Sequence, residues 1–139
     1  MTLPYGISTL CYAVVCGGTI AFGVTYLFRG RFMTYHEEAL RQPWGALDGA
    51  LQALLLGLMR ATGGGLVGAG IGEAVMLTIP FRNGDEWSRL ALPAIGLATL
   101  IPVLYANILI RVRTGAHTPA LASLTGIALI ILGFVLSVT

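Results

Sequence analysis

One carboxylic acid, Glu73, lies in the middle of a long apolar segment, and it is the first candidate for chemistry in this chain. The segment reads ATGGGLVGAGIGEAVMLTIPF over residues 61–81. An ionisable side chain near the centre of a bilayer costs several kcal/mol, and such residues usually face a protein interior or a water-filled path. Glu73 either couples to an ion, a proton or a ligand, or is a structural carboxyl bonded to a neighbouring helix.

Arg60 is the nearest basic residue on the same segment, but it does not have the spacing of a partner for Glu73. The two residues lie about 20 Å apart along a continuous helix. An ion pair to Glu73 would therefore have to come from another helix or another subunit. Arg60 itself is expected near the membrane interface. The polar Asn107, inside the third apolar stretch, is a further candidate for ligand binding or coupling.

A second group of candidates lies in the polar connections, with Tyr35, His36, Glu37 and Glu38 in one and His117 in another. Histidine and carboxylate ligands suit several divalent metals. Because two histidines from separate loops are a weak pattern, we predict no metal site and no cofactor. The alternative is a polar lid, in which Tyr35 and His36 hydrogen-bond a lipid or quinone headgroup and the histidine titrates near physiological pH. The sequence does not say whether His36 and His117 meet.

The composition indicates the elements that must position these residues. The chain has 139 residues, of which 56% are hydrophobic and 10% charged, whereas a soluble domain has about 25% charged residues. A membrane-spanning helix needs about 20 apolar residues, and four stretches qualify. We predict an all-α integral membrane protein, a four-helix transmembrane bundle that forms a single domain over 1–139. The predicted transmembrane helices cover about 4–28, 47–81, 87–110 and 119–138.

The longest polar connection predicts a short interfacial helix at about 35–41, between the first two transmembrane helices. Thr34 and Glu37 have the spacing of a capping box, and Pro43 would stop the helix. The following segment, 47–81, would form about 50 Å of helix, which is longer than the membrane core. It therefore either begins well outside the membrane or kinks at the glycines of 63–65.

Small residues at intervals of four predict the faces on which the helices pack. In membranes such faces let helix backbones approach closely. One face lies on the first helix and one on the second, and the second packs either within the chain, which we favour, or against another copy. The residues are Ala13, Gly17 and Ala21, and Gly64, Gly68 and Gly72.

The arginines predict the orientation, because short cytoplasmic loops carry an excess of Lys and Arg. More arginines lie in 29–46 and 111–118 than in the connection between the second and third spans. We therefore expect loops 29–46 and 111–118 in the cytoplasm, both termini outside, and the protein in the inner membrane of a bacterial cell.

The composition also excludes several functions. The chain has no lysine, so it can form no Schiff base with retinal or pyridoxal phosphate and has no P-loop lysine. A net charge of +2 without a basic cluster makes nucleic-acid binding implausible. No motif identifies the chain as a member of a known family.

Three functions stay open from the sequence. The leading hypothesis is a non-enzymatic accessory or binding protein that holds a membrane lipid, a quinone-like apolar ligand or a membrane partner, as a homo-oligomer or a subunit of a larger complex. The first alternative is a small oligomeric transporter or channel with Glu73 as the coupling carboxylate. The second is a membrane enzyme acting on a lipid-like substrate with His36 or His117 as acid or base, which requires both side chains to reach one pocket.

Overall fold

The computed structural model describes residues 3–139, and that range folds into five α-helices and no strand. The helices are α1 (Leu3–Phe28), α2 (Thr34–Leu40), α3 (Gly49–Met76), α4 (Ser88–Thr114) and α5 (Ala120–Val138). All but the short α2 are long and apolar enough to cross a membrane, with α3 continuing to Phe81. The predicted all-α four-helix bundle is confirmed.

The four long helices alternate in direction, so the bundle has two ends. We call the end that carries α2 and the 115–119 connection the loop end, and the end that carries Leu3, the 82–87 turn and Val138 the terminal end. Helix α1 packs mainly on α3 and then on α5, whereas α4 packs on α5 and more lightly on α3. Helix α2 lies beside the loop end of α4.

Glycine brings the backbones of α1 and α3 into direct contact. A Cβ atom placed on Gly63 would lie 2.7 Å from the carbonyl oxygen of Gly23, and one placed on Gly23 would lie 2.8 Å from the carbonyl oxygen of Gly63. Farther along α3, a Cβ on Gly70 would lie 2.5 Å from the Ile20 side chain. The Cys16 thiol donates to the Gly70 carbonyl at 3.0 Å, so a polar contact accompanies this close approach.

The predicted packing faces are therefore not the faces that pack within the chain. On α1, Ala13, Gly17 and Ala21 are exposed. On α3, a Cβ atom placed on the exposed Gly68 or Gly72 would have no described atom within 4 Å, and one placed on Gly64 would meet only a Leu27 methyl at 3.9 Å. The glycines that face α1, Gly63 and Gly70, are seven residues apart, which is also a helical spacing, so the four-residue pattern alone does not show which glycines face α1. The exposed set is turned toward lipid or another chain.

Helix α3 is continuous through the three consecutive glycines of 63–65, where a kink is one of two possibilities from the sequence. The irregularity lies later, in one π-helical turn at Leu77–Phe81 that contains Pro80. Proline has no amide hydrogen to donate, and wider turns of this kind let a helix accommodate such a defect. Tyr5 covers the turn, because its hydroxyl donates to the Phe81 carbonyl and its ring stacks on the Phe81 ring.

The connection from α1 to α3 differs from the predicted capping box. Helix α2 begins at Thr34 after Met33, and the Met33 amide donates to His36 Nδ1 at 3.3 Å. His36 thus takes the role predicted for Glu37. Helix α2 ends at Leu40, and the next residue, Arg41, has a left-handed φ of 54°. Asp48 then caps α3 by accepting from the amides of Ala50 and Leu51.

We expect Gly63→Ala to destabilise the bundle and Gly64→Ala to leave it unchanged or slightly more stable. Alanine is the better helix former by about 1 kcal/mol, but at position 63 its methyl group would meet the α1 backbone, and overpacking typically costs about 1–3 kcal/mol. Thermal unfolding of both variants in the same detergent measures the difference. Equal melting temperatures would show that α1 does not contact α3 through Gly63.

Candidate functional site

The main cavity is a lateral groove of about 540 Å³. It begins at the loop end and reaches the middle of the bundle between α1, α4 and α5, with one residue of α3 at its base. Most of its lining is apolar, including Val15, Leu66, Leu100, Val103 and Leu129. Because lining residues such as Val14, Gly18 and Ala122 are exposed, the groove is open along the side that faces lipid. We call this cavity the lateral groove.

Polar groups lie in the loop-end half of the lateral groove. Asn107 and Ser123 are buried, and the Asn107 amide donates to the Ser123 hydroxyl at 3.5 Å. A hydrogen bond of that length is weak, so both groups keep capacity for another partner. Thr118 fixes the position of this pair by donating to the Asn107 carbonyl at 2.9 Å. No ionisable side chain of residues 3–139 lines the lateral groove, and its polar end is therefore uncharged.

Glu73 lies in the centre of the bundle and is only 4% exposed. Its Oε1 atom is fully buried and has no hydrogen-bond partner among the described residues. That atom fills space left by Gly96 of α4, since a Cβ there would lie 3.2 Å from it. The same Cβ would lie 2.7 Å from Ile130 Cδ1 of α5. Oε1 is therefore enclosed within the bundle, and Glu73 is not part of the lining of the lateral groove.

A second cavity of about 350 Å³ lies at the loop end, between α2, α3 and α4. His36 lines it together with Tyr26, Met59 and Thr114, and the Tyr26 and Tyr35 hydroxyls share a hydrogen bond beside it. Burial lowers the pKa of His36 and raises that of Tyr35, because both desolvation effects favour the neutral form. Burial thus favours the neutral form of His36 over its protonated form.

His117 does not meet His36 but contacts Glu38 of α2. The Glu38 carboxylate accepts from the His117 amide at 2.8 Å and lies 3.1 Å from its Nδ1 atom. The His117 side chain is 88% exposed, so this contact is at the surface. These hydrogen bonds, that of the amide first, lower the pKa of the Glu38 carboxyl. Their structural effect is to tie α2 to the connection between α4 and α5.

The remaining predicted site residues stay apart. Arg60 is exposed on α3, and Glu37 is partly exposed on α2. Among residues 3–139, no three His, Cys, Asp or Glu side chains come close enough to hold a metal ion. The predicted set therefore divides into a buried carboxyl, a groove residue, and a group at the loop end.

Several residues of the site are not identifiable from the sequence. Ser123 and Thr19 resemble any small polar residue of a membrane helix, and only the fold places them on the lateral groove. Gly96 and Ile130 carry no chemical signal of their own. Asn107 is a candidate from the sequence, but the sequence does not show that its partner is Ser123 on another helix.

Comparison with family profiles, with curated proteins and with solved structures found no match. The geometry of the lateral groove and of Glu73 is therefore the basis on which a function can be proposed.

We expect Glu38→Ala to loosen α2, with Glu37→Ala as the matched control. The contact is made by the ionised Glu38 carboxylate. Its stabilising effect on α2 is therefore fully present above the usual glutamate pKa of about 4.3. Since the pKa of Glu38 is lowered in the folded protein, this stabilising effect is lost as the pH falls through that lower pKa. Hydrogen exchange at the His117 amide should be faster in Glu38→Ala at pH 7, and the difference should disappear in acid. Unchanged exchange at pH 7 would contradict the contact.

Proposed function

We propose that this chain is a membrane protein that binds an uncharged, lipid-like or quinone-like molecule in the lateral groove. The observation that carries the proposal is the groove itself, with apolar walls and the Asn107–Ser123 pair near one end. Ligand sites are commonly about 300–1,000 Å³ in volume and mostly apolar with a few placed polar groups. The lateral groove has both properties.

The direction of the polarity suggests how the ligand lies. Asn107 and Ser123 are near the loop end, whereas Val15 and Leu129 form the wall near the middle of the bundle. A polar group of the ligand therefore bonds the amide and the hydroxyl, and its hydrocarbon part extends toward the bundle centre. The open side between α1 and α5 lets the ligand enter from the bilayer.

An uncharged ligand is favoured because the lining offers no counter-ion. Moving an unpaired charge into an apolar site is very costly, and the polar groups of the lateral groove are an amide and hydroxyls. A carbonyl or hydroxyl group on the ligand would be satisfied by these partners. A free phosphate would not be, which distinguishes quinones and neutral glycerolipids from phospholipids.

Glu73 supports a second candidate, a small transporter or channel. A buried carboxyl oxygen without a partner among the described residues is the kind of intramembrane group that marks proton or ion pathways. A transport function requires Glu73 to reach water or an ion during the transport cycle. It predicts that Glu73→Gln abolishes the flux of the transported ion or molecule into liposomes. We do not propose catalysis by the histidines, since His117 contacts Glu38 rather than the His36 cavity.

The test compares Ala122→Trp with Ala128→Trp. Ala122 lines the lateral groove, whereas Ala128 is exposed on the same helix and is not part of the lining. An indole at position 122 would occupy the groove, and the same change at 128 would face lipid. We expect native mass spectrometry from nanodiscs to show a quinone or a diacylglycerol retained by wild type and Ala128→Trp. Retention by Ala122→Trp should fall at least tenfold, which is about 1.4 kcal/mol of binding free energy.

Two results would contradict the proposal. One is equal retention by both tryptophan variants, which would place the bound molecule elsewhere on the surface. The other is retention of phosphatidylglycerol alone, which would show that the site selects a charged headgroup.

A further inference from the structure

We infer that Glu73 is an inner hydrogen-bonding site of the lateral groove, closed in this structure by the Ile130 side chain, and that it takes an uncharged oxygen atom of the ligand. The inference rests on the proposed binding function and adds to it a ligand class, an apolar molecule with a carbonyl, ether or hydroxyl oxygen at its inner end.

The geometry places Glu73 directly behind the inner wall of the lateral groove. Ile130 packs in one hydrophobic cluster with Val15, Leu100 and Leu129, and these three residues line the groove. On its other side, Ile130 shares the space at Gly96 with the Glu73 carboxyl. Ile130 therefore belongs both to the cluster that forms the groove wall and to the packing around the carboxyl.

The surroundings of Glu73 offer little to stabilise a negative charge. An isolated carboxylate in an apolar interior is strongly destabilised and neutralises instead. No described residue offers a hydrogen bond or a positive charge to the buried Oε1 atom. An uncharged carboxyl has one O–H donor, and this donor gains a partner only when a ligand oxygen arrives. An uncharged ligand oxygen satisfies it without bringing a charge into the bundle.

The Ile130 side chain can open this space without a movement of the helix. The nearest Ile130 atom at Gly96 is Cδ1, with Cγ1 behind it, and rotation about χ2 between staggered positions moves Cδ1 alone. Along α4, Gly96 lies about 16 Å from Asn107. A ligand that bonds both ends of the groove must therefore be extended and about that long.

Labelling with dicyclohexylcarbodiimide tests access to Glu73. The carboxyl proton moves to a carbodiimide nitrogen, the carboxylate oxygen adds to the central carbon, and the acyl group then shifts to nitrogen. The whole reagent stays attached as an N-acylurea, and its mass is added to the protein. The chain has six acidic residues, and peptide mapping together with Glu73→Gln, which cannot be labelled at that position, assigns the modified one.

The variant of interest is Ile130→Val, which removes only Cδ1, with Ile131→Val on the exposed side of α5 as the matched control. We expect labelling of Glu73 to be at least fivefold faster in Ile130→Val and unchanged in Ile131→Val. We also expect Ala122→Trp, which fills the lateral groove, to slow labelling in the Ile130→Val background. A linear α,ω-diol whose two hydroxyls are about 16 Å apart should protect Glu73 more than the 1-alkanol of the same chain length does, because only the diol has an oxygen at its inner end.

The inference is overturned if both valine variants label at the wild-type rate, if Ala122→Trp has no effect, or if the 1-alkanol protects as well as the α,ω-diol. If Ala122→Trp still fails to retain the ligand, these outcomes contradict the role of Glu73 and not the proposed binding in the lateral groove. Loss of the proposed function is seen separately, as equal ligand retention by Ala122→Trp and Ala128→Trp.

Discussion

The close backbone contact between α1 and α3 is the constraint on which the rest of the structure depends. In lipid, apolar side chains gain little by leaving their surroundings, and helices associate through van der Waals contact and hydrogen bonds. Gly23 and Gly63 supply that contact, since any side chain at either position would meet the opposite backbone. The Cys16 thiol adds a hydrogen bond to Gly70 within the same interface.

This contact determines where Glu73 and the lateral groove lie. Gly63 and Gly70 are close to two whole turns apart on α3, and Glu73 follows Gly70 within about 60° around the helix. The face that packs on α1 therefore adjoins the buried carboxyl. Helix α1 follows α3 closely and packs on α5 along its other side. The space left between α1, α4 and α5 toward the loop end is the lateral groove. One packing arrangement thus encloses an acid and opens a cavity beside it.

The sequence predicts the number, order and approximate bounds of the helices, because apolar length is a strong signal in membrane proteins. It also shows that Glu73 is exceptional. It does not show which glycines face α1. Intervals of four and of seven residues both return to the same side of a helix, and both pairs of glycines, Gly64 with Gly68 and Gly63 with Gly70, fit such an interval. The lateral groove is beyond sequence reasoning for a related reason. Asn107 and Ser123 come from different helices, and their meeting depends on how α4 packs against α5.

Solid-state NMR of the protein in lipid nanodiscs would test most directly whether an uncharged lipid-like ligand occupies the groove between α1 and α5. The measurement is magnetisation transfer from a diacylglycerol or quinone to assigned protein residues. We expect long-lived contacts at Ser123, Val103 and Leu129, with the ligand's polar group nearest Ser123. Contacts of equal strength at Ile71 and Val75, which are exposed on α3, would contradict ligand binding in the groove, because the molecule would then behave as ordinary surrounding lipid.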